Sequence, residues 1–376
     1  MKLCVVTHSL IKGDGQGRVN YEIVAEALRQ GHQVTILASQ LDQKLAQDRR
    51  LDWVYIPVKN FPTELIRNIA FSWQSAKWLK KNRSQFDLIK INGAITSASA
   101  ELNAVHFVHS SWLKSPVHTW QQRKDFYGLY QWLYTFLNAF WEKQAFARAK
   151  AIVAVSQKVK QELLDIGVSG DRVEVITNGV NLQEFAPGTS DRAGLGLPNN
   201  VVLALFAGDI RTPRKNLDTV LQAISQVSNL HLAVAGDTKD SPYPQLAEKF
   251  GISGRVHFLG YRRDMSDLMK AVDLFIFPSR YEACSLVLLE AMASGIPVIT
   301  AQTSGGAELV SPECGFVLSD PNDLTPLTQV LKQLTKTPEL RKKMGLQARQ
   351  IAEQNSWMQM ANKYIELFKK HRDVTV

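Results

Sequence analysis

Two glutamates, Glu282 and Glu290, stand with seven residues between them in the stretch PSRYEACSLVLLEAMASGIPVITAQTSGGAEL, 278 to 309. The sequence predicts a buried strand, Asp273 to Phe277, leading into the loop that carries Glu282. A short helix should follow, starting near Ser285 and stopping at Gly295, with Pro297 beyond it. Ser285 is the candidate N-cap, so the backbone N–H groups after it, at Leu286 and Val287, project from the positive end of the helix dipole. Such an end binds a phosphate without any cation. Glu290 lies five residues after Ser285, about 7 Å along the axis at 1.5 Å per residue. That is near the separation between a diphosphate and the hydroxyls of its own ribose, from which a carboxylate accepts hydrogen bonds. The helix is otherwise apolar from Leu286 to Ala293, and a carboxylate buried there without a partner is very costly. An isolated glutamate of this kind reads as a structural acid paired with a buried Arg or Lys. The neighbouring loop, the glycines and Glu282 favour a ligand site instead.

These side chains need strands to hold them. VVLALFAGDIRTPRKNLDTVLQAI, from 201, reads as strand, loop and helix, and its loop holds Arg211, Arg214 and Lys215. Such a basic loop is either solvated surface or an anion cradle. LHLAVAGD, RVHFLGY and DLFIFPS follow as strands, each with a loop at its C-terminal end. At the start of the chain, Leu3 to Thr7 reads as a strand and glycines 13, 15 and 17 as a flexible loop. The next helix has Val19, Ile23, Val24, Ala27 and Leu28 on one side, and Gln33 to Ala38 is the next strand. This strand–glycine loop–helix–strand unit makes a dinucleotide site the first candidate. Two details count against it: the spacing is G-x-G-x-G, and the second strand ends Leu37-Ala38-Ser39 without an acid for an adenosine ribose. Further strands are expected at Val54 to Val58, Asp87 to Ile91 and 104 to 109. His109 would then lie at a strand's C-terminal end, where open α/β sheets bind ligands, with His106 as its competitor.

EACSLVLLEAMASGIPVI, from 282, strongly resembles the signature of the retaining, nucleotide-sugar-dependent glycosyltransferases of the GT-B fold. The segments 149 to 188 and 202 to 310, and SWMQMANKYIELFKKH from 356, are similar to the same family. The resemblance implies that Glu282 lies close to the donor sugar and that Glu290 binds the ribose, with Gly208, Cys284, Ser285, Leu286 and Val287 among the donor-binding residues. It implies that Lys215, which precedes Asn216, neutralises the diphosphate together with an arginine. The family's arginine directly follows the glycine, here Gly208; this chain has Asp209 there, and Arg211 is the replacement. The resemblance also brings Gly15 near the diphosphate, the nucleobase beside Tyr261 and Arg262, and His109 near the reacting bond.

Composition narrows the classes. With 376 residues, 45% hydrophobic and 21% charged, the chain suits two globular domains. Three scattered cysteines argue against a disulfide framework or a zinc site and suit a reducing compartment. The start, MKLCVVTHSL, enters a strand without the apolar core of a signal peptide. The net charge of +9 carries no helix-turn-helix, zinc-finger or RNA-binding signature, so no nucleic-acid partner is expected. FYGLYQWLYTFLNAFW, 126 to 141, is too short to span a bilayer. It reads first as a core helix; an acceptor groove or membrane-resting face, helped by Lys114, Arg123 and Lys124, is the sharper alternative.

The expected architecture is α/β: two Rossmann-like, doubly wound domains facing a cleft, the GT-B arrangement, with an acceptor-side domain at 1–185, a nucleotide-sugar domain at 186–355 and a terminal helix at 356–376 crossing back. The expected reaction moves a sugar from a nucleoside diphosphate sugar to an acceptor, a glycan or a lipid-linked molecule, with retention of anomeric configuration. No cofactor is expected, and no metal, because no Asp-x-Asp occurs at a strand end. The protein is expected in the cytoplasm, with the inner face of a membrane as a resting place. A nicotinamide-dependent oxidoreductase and a non-catalytic nucleotide-sugar-binding protein are the alternatives.

Overall fold

The computed structural model describes residues 1–13 and 15–373, in two compact units: residues 1–179 joined by the segment from Trp357, and Val180–Ser356. The first unit contains strands β1 (Lys2–Val6), β2 (Ser9–Leu10), β3 (Gln33–Ala38), β4 (Gln40–Leu41), β5 (Leu51–Tyr55), β6 (Leu88–Asn92), β7 (Ala100–Val105), β8 (Ala149–Ala154) and β9 (Val173–Val175). Its main sheet is parallel, in the order β5-β3-β1-β6-β7-β8-β9, and β2 pairs with β4. Its helices are α1 (Gly15–Arg29), α2 (Glu64–Asn82), α3 (His109–Lys114), α4 (Thr119–Gln122), α5 (Phe126–Arg148) and α6 (Gln157–Asp165).

The second unit has strands β10 (Val202–Ala207), β11 (Leu230–Ala235), β12 (Val256–Gly260), β13 (Leu274–Phe277), β14 (Val298–Ala301) and β15 (Gly315–Leu318). They form a parallel sheet in the order β12-β11-β10-β13-β14-β15. Helices α7 (Leu217–Ser225), α8 (Tyr243–Lys249), α9 (Met265–Ala271), α10 (Leu286–Ala293), α11 (Leu324–Lys336) and α12 (Pro338–Glu353) accompany it. The last helix, α13 (Trp357–Asp373), packs on α1, where Arg18 lies 5.3 Å from the Trp357 ring.

Both sheets are buried on two faces, which demands apolar residues at successive positions. In β10, Leu203 and Leu205 enter one core with Phe275, Leu288 and Met292, while Ala204 and Phe206 enter the other with Leu217 and Val220. In each sheet the strand order reverses beside its first strand, between β1 and β6 and between β10 and β13. Open α/β sheets bind ligands at these reversals, outside the carboxyl ends of the strands.

Several expectations change. The strand expected at Val54 to Val58 is β5, Leu51–Tyr55, although Ile56 and Val58 still fill the core. The strand expected to end at His109 stops at Val105. Helix α1 begins at Gly15, so the glycine loop is shorter than it reads. Residues 180–185 join the second unit, where Val180 bridges to Ser356 and Phe185 enters the core. Arg192, further along, binds the carbonyls of Ala271 and Val201 and the Asp273 carboxylate, within the same unit.

The largest correction is α5, which is not a core helix. Phe126 is 93% exposed, and Leu129, Leu133, Phe136 and Phe140 share its outward face. Asn138 and Glu142 point inward, at 6% and 1% exposure. Hydrogen bonds satisfy this polar inner side. Glu142 accepts the backbone N–H groups of His109 and Ser110 at 2.8 and 2.7 Å, and Thr135 Oγ1 lies 3.1 Å from His118 Nε2. Helical periodicity identifies an apolar stripe; it does not say which side faces water.

Candidate active site

In the second unit the loops after β10 and β13 flank the strand reversal, and they carry Lys215 and Glu282. Gly208 opens the first loop at φ +155°, and a Cβ on Gly236 would lie 2.4 Å from the Gly208 carbonyl oxygen, so both positions suit only glycine. The loop then turns through Pro213–Lys215 to Asn216, which has left-handed backbone (φ 68°) and is fully buried. The Asn216 amide donates to the carbonyls of Pro278, at 2.9 Å, and Pro321. Arg214 O accepts from the amide of Arg280 at 2.9 Å and from Ser279 Oγ at 3.1 Å. The Arg280 guanidinium grips Asp218 at 2.9 and 2.7 Å. The two loops are thus stitched together by residues that sequence reasoning passed over. Asn216, beside the basic loop, was the available signal, since asparagine tolerates left-handed backbone.

This stitching brings Lys215 Nζ onto the Glu282 carboxylate as an ion pair, with Nζ 4.9 Å from the centre of the Phe277 ring. Burial holds the Lys215 pKa below its usual value, against the opposing pull of Glu282. The Glu282 loop is fixed from the other side: Glu282 N donates to Thr303 O at 3.3 Å, and Gly305 N to Glu282 O at 2.8 Å.

Ser285 is the N-cap of α10. Its hydroxyl accepts from Leu288 N at 3.3 Å, and its own amide donates to Gly305 O at 3.0 Å. Helix geometry leaves the amides of Leu286 and Val287, in the first turn, with no carbonyl one turn earlier. Cys284 and Glu290 are half-buried, before and within this helix. Arg211 does not join the cluster; it pairs with Asp209 at 2.9 Å and is half exposed. Past β12, Tyr261 is 75% exposed and Arg262 binds Asp264, with Nε 2.8 Å from Oδ1.

In the first unit, Gly15 is the first residue of α1. A cavity of about 560 Å³ is lined by residues that include Asn92 at the end of β6, His106 and His109 after β7, and side chains of α2 and α5. His106, not His109, directly follows the strand; His109 opens α3. Burial lowers the His106 pKa to about 3, helped by nearby Lys90, and the His109 pKa to about 4, so both rings are neutral at physiological pH.

Two family models match the chain: Glycosyltransferase Family 4 over residues 13–184 and Glycosyl transferases group 1 over residues 189–351. Among curated proteins, the lipopolysaccharide glucosyltransferase WaaG of Escherichia coli is 37% identical over 147 residues, covering 37% of this chain and 39% of that one. A D-inositol 3-phosphate glycosyltransferase of Saccharomonospora viridis is 29% identical over 248 residues, covering 61% and 57%. The chain spans about half the length of the curated relatives it matches. Among solved structures, WaaG superposes with a TM-score of 0.77 at 22% identity, over 97% of this chain and 99% of that one. Anabaena Alr3699/HepE in complex with UDP-glucose superposes with a TM-score of 0.72 at 20% identity, over 98% and 100%.

Proposed function

The chain belongs to the GT-B glycosyltransferases, and we propose that it moves a sugar from a nucleoside diphosphate sugar to an acceptor hydroxyl, with retention of configuration and without a metal ion. The observation that carries this reading is the Lys215–Glu282 pair beside the capped start of α10, at the strand reversal of the second sheet. Without donor, the two charges satisfy each other. When donor binds, Lys215 turns to the diphosphate and Glu282 to the hydroxyls of the sugar. The bond from the anomeric carbon to the phosphate oxygen breaks, and its electron pair leaves with the diphosphate. The acceptor oxygen then bonds to that carbon on the same face, and the acceptor proton passes to the departing phosphate oxygen. Lys215 and the amides of Leu286 and Val287 stabilise the growing negative charge from fixed positions, which is electrostatic preorganisation. Glu290 holds the ribose. Arg211 assists once it leaves Asp209.

UDP-glucose is the first donor to try, because a protein of the same fold has been seen with it. A lipid-linked acceptor is supported by the likeness to a lipopolysaccharide glucosyltransferase and by α5. Among the described residues no helix is long and apolar enough to cross a membrane. An outward apolar stripe bordered by cations suits the interface of an anionic bilayer instead. Lys77 lies 4.9 Å from the Trp73 ring and Arg123 4.9 Å from the Tyr127 ring. Proton NMR of the first product formed tests the mechanism. The anomeric coupling should match that of the donor, and an inverted product rules out same-face attack.

A further inference from the structure

Helix α3 opens at His109 without a cap of its own, because Val108 in the N-cap position has no side-chain acceptor for its amides. The cap comes from α5 instead, 33 residues along the chain. Glu142 Oε2 accepts His109 N at 2.8 Å and Oε1 accepts Ser110 N at 2.7 Å, so each oxygen takes one amide. Glu142 is 1% exposed, and among the described residues no lysine or arginine pairs with it. A carboxylate buried without a cation is destabilising. A serine or asparagine at position 108 would cap the same turn and bury no charge. Sequences depart from the simpler local solution mostly where function requires it.

The turn that Glu142 holds carries His109. That ring meets Phe107 and Tyr134 edge-on, at centroid distances of 5.0 and 5.9 Å, and its buried Nδ1 has no hydrogen-bond partner. The backbone position that Glu142 enforces therefore decides where the ring stands in the cavity that both residues line. The surroundings of Glu142 offer it little positive charge. Helix α3 presents neutral His109, and α6 presents Glu162, a like charge that is itself paired with Lys158. Helix α4 is uncharged, and Lys150 of β8 is held by Glu101. In the cavity lining, Glu64 of α2 pairs with Arg67, and Arg148 follows on α5 itself. Burial first, and then Glu162, push the Glu142 carboxyl up to about 7 against the pull of the two amides.

Resting on the transferase reading above, we propose that Glu142 is a positioning residue for sugar transfer: it fixes the first turn of α3, and through it the place of the His109 ring. The ionised carboxylate has one acceptor for each amide. Once protonated, one oxygen carries an O–H, which meets an N–H donor with a donor, and that amide loses its partner. A proton thus loosens the turn, and activity rises as Glu142 ionises.

The test measures kcat for the full chain with the donor it turns over fastest, from about pH 5.5 to 9, for wild type, Glu142→Gln, His109→Ala and the double variant. Glu142→Gln keeps the volume but sets an NH₂ group against one of the amides. It should lower kcat about tenfold to a hundredfold, as a misplaced group does, and leave donor affinity unchanged. The limb near pH 7 in the wild-type profile should disappear with it. On the His109→Ala background Glu142→Gln should change kcat less than about twofold, because the two residues act as one unit. If Glu142→Gln fails to fold, wild type and His109→Ala decide: the limb should be present in the first and absent in the second. A Glu142→Gln loss that adds in full to that of His109→Ala overturns the proposal, because a merely structural role would act independently of the ring. So does wild-type kcat in Glu142→Gln, a limb shared by wild type and His109→Ala, or a limb that Glu142→Gln keeps and Lys90→Met removes. If folded wild type neither hydrolyses nor transfers from any nucleotide sugar, the transferase reading fails, and the positioning role falls with it.

Discussion

Replacing Lys215 separates two kinds of help that a cation can give. If Lys215 merely attracted the donor, its loss would weaken binding and leave turnover alone. If it meets charge that grows as the bond breaks, the loss falls on kcat. A unit charge about 4 Å from Nζ, at an effective dielectric of about 20, interacts by about 4 kcal/mol. If about half a charge develops on the leaving oxygen, the transition state gains about 2 kcal/mol over the ground state, or about thirtyfold in rate. Site electrostatics from a single lost donor reach about 10²–10³ in kcat. Lys215→Ala should therefore lower kcat by about 30- to 1,000-fold, with a much smaller change in donor KM. Removing one member of a largely buried pair also leaves Glu282 without its cation. Lys215→Ala/Glu282→Gln serves as the control, and a thermal melt of each protein checks that it is folded. The measurement is a steady-state assay of nucleoside diphosphate release over a range of donor concentration. A kcat within threefold of wild type, with the whole loss in KM, would leave Lys215 with donor attraction alone.

Glu290→Ala should act the other way: a ribose contact is made equally in ground and transition states, so calorimetry should show donor affinity falling while kcat holds. If it binds donor normally and only melts earlier, Glu290 is a structural acid. Lys90 titrates at about 7 in the folded chain because burial disfavours its charge. Between that value and its ordinary one near 10.5, the unfolded chain binds the extra proton, so stability should rise with pH across this window. Relative to Lys90→Met, the wild type should gain up to about 4 kcal/mol between pH 7 and 10, at 1.36 kcal/mol per pH unit; parallel urea-melt profiles would contradict this. Activity should survive EDTA; loss with the chelator and recovery with Mn²⁺ would require a metal at the diphosphate. Co-sedimentation with vesicles should increase with anionic lipid and decrease with salt, and Phe136→Ser/Phe140→Ser should reduce it; no binding at any composition would leave α5 to a different partner.

The second unit was largely legible in the sequence because parallel strands buried on both faces, such as LFIF in β13, appear as unbroken apolar runs between glycine-marked turns. The α10 helix was legible from its ends, with Ser285 accepting from Leu288 N where a cap was expected. What escaped depends on three-dimensional context. The outward turn of α5 rests on what Thr135, Asn138 and Glu142 find inside, and periodicity carries no such information. Lys90 lies in the middle of LIKIN, where pattern reasoning assigns a core strand and has no place for a cation. His106 and His109 are separated only by where β7 stops, and strand ends are among the least legible features of a sequence. The cross-loop bonds of Asn216 join residues 62 and 105 positions apart, beyond the reach of any local signal.

We propose that the second unit activates a nucleoside diphosphate sugar with Lys215 and Glu282. The most direct test incubates the folded chain with UDP-, GDP- and ADP-sugars, in the presence of glycolipid vesicles, and measures free nucleoside diphosphate by mass spectrometry. Release from one base class is expected, with transfer of the sugar to lipid and loss of both in Lys215→Ala. Release from no donor by a folded wild-type chain, or release that Lys215→Ala leaves unchanged, would contradict it.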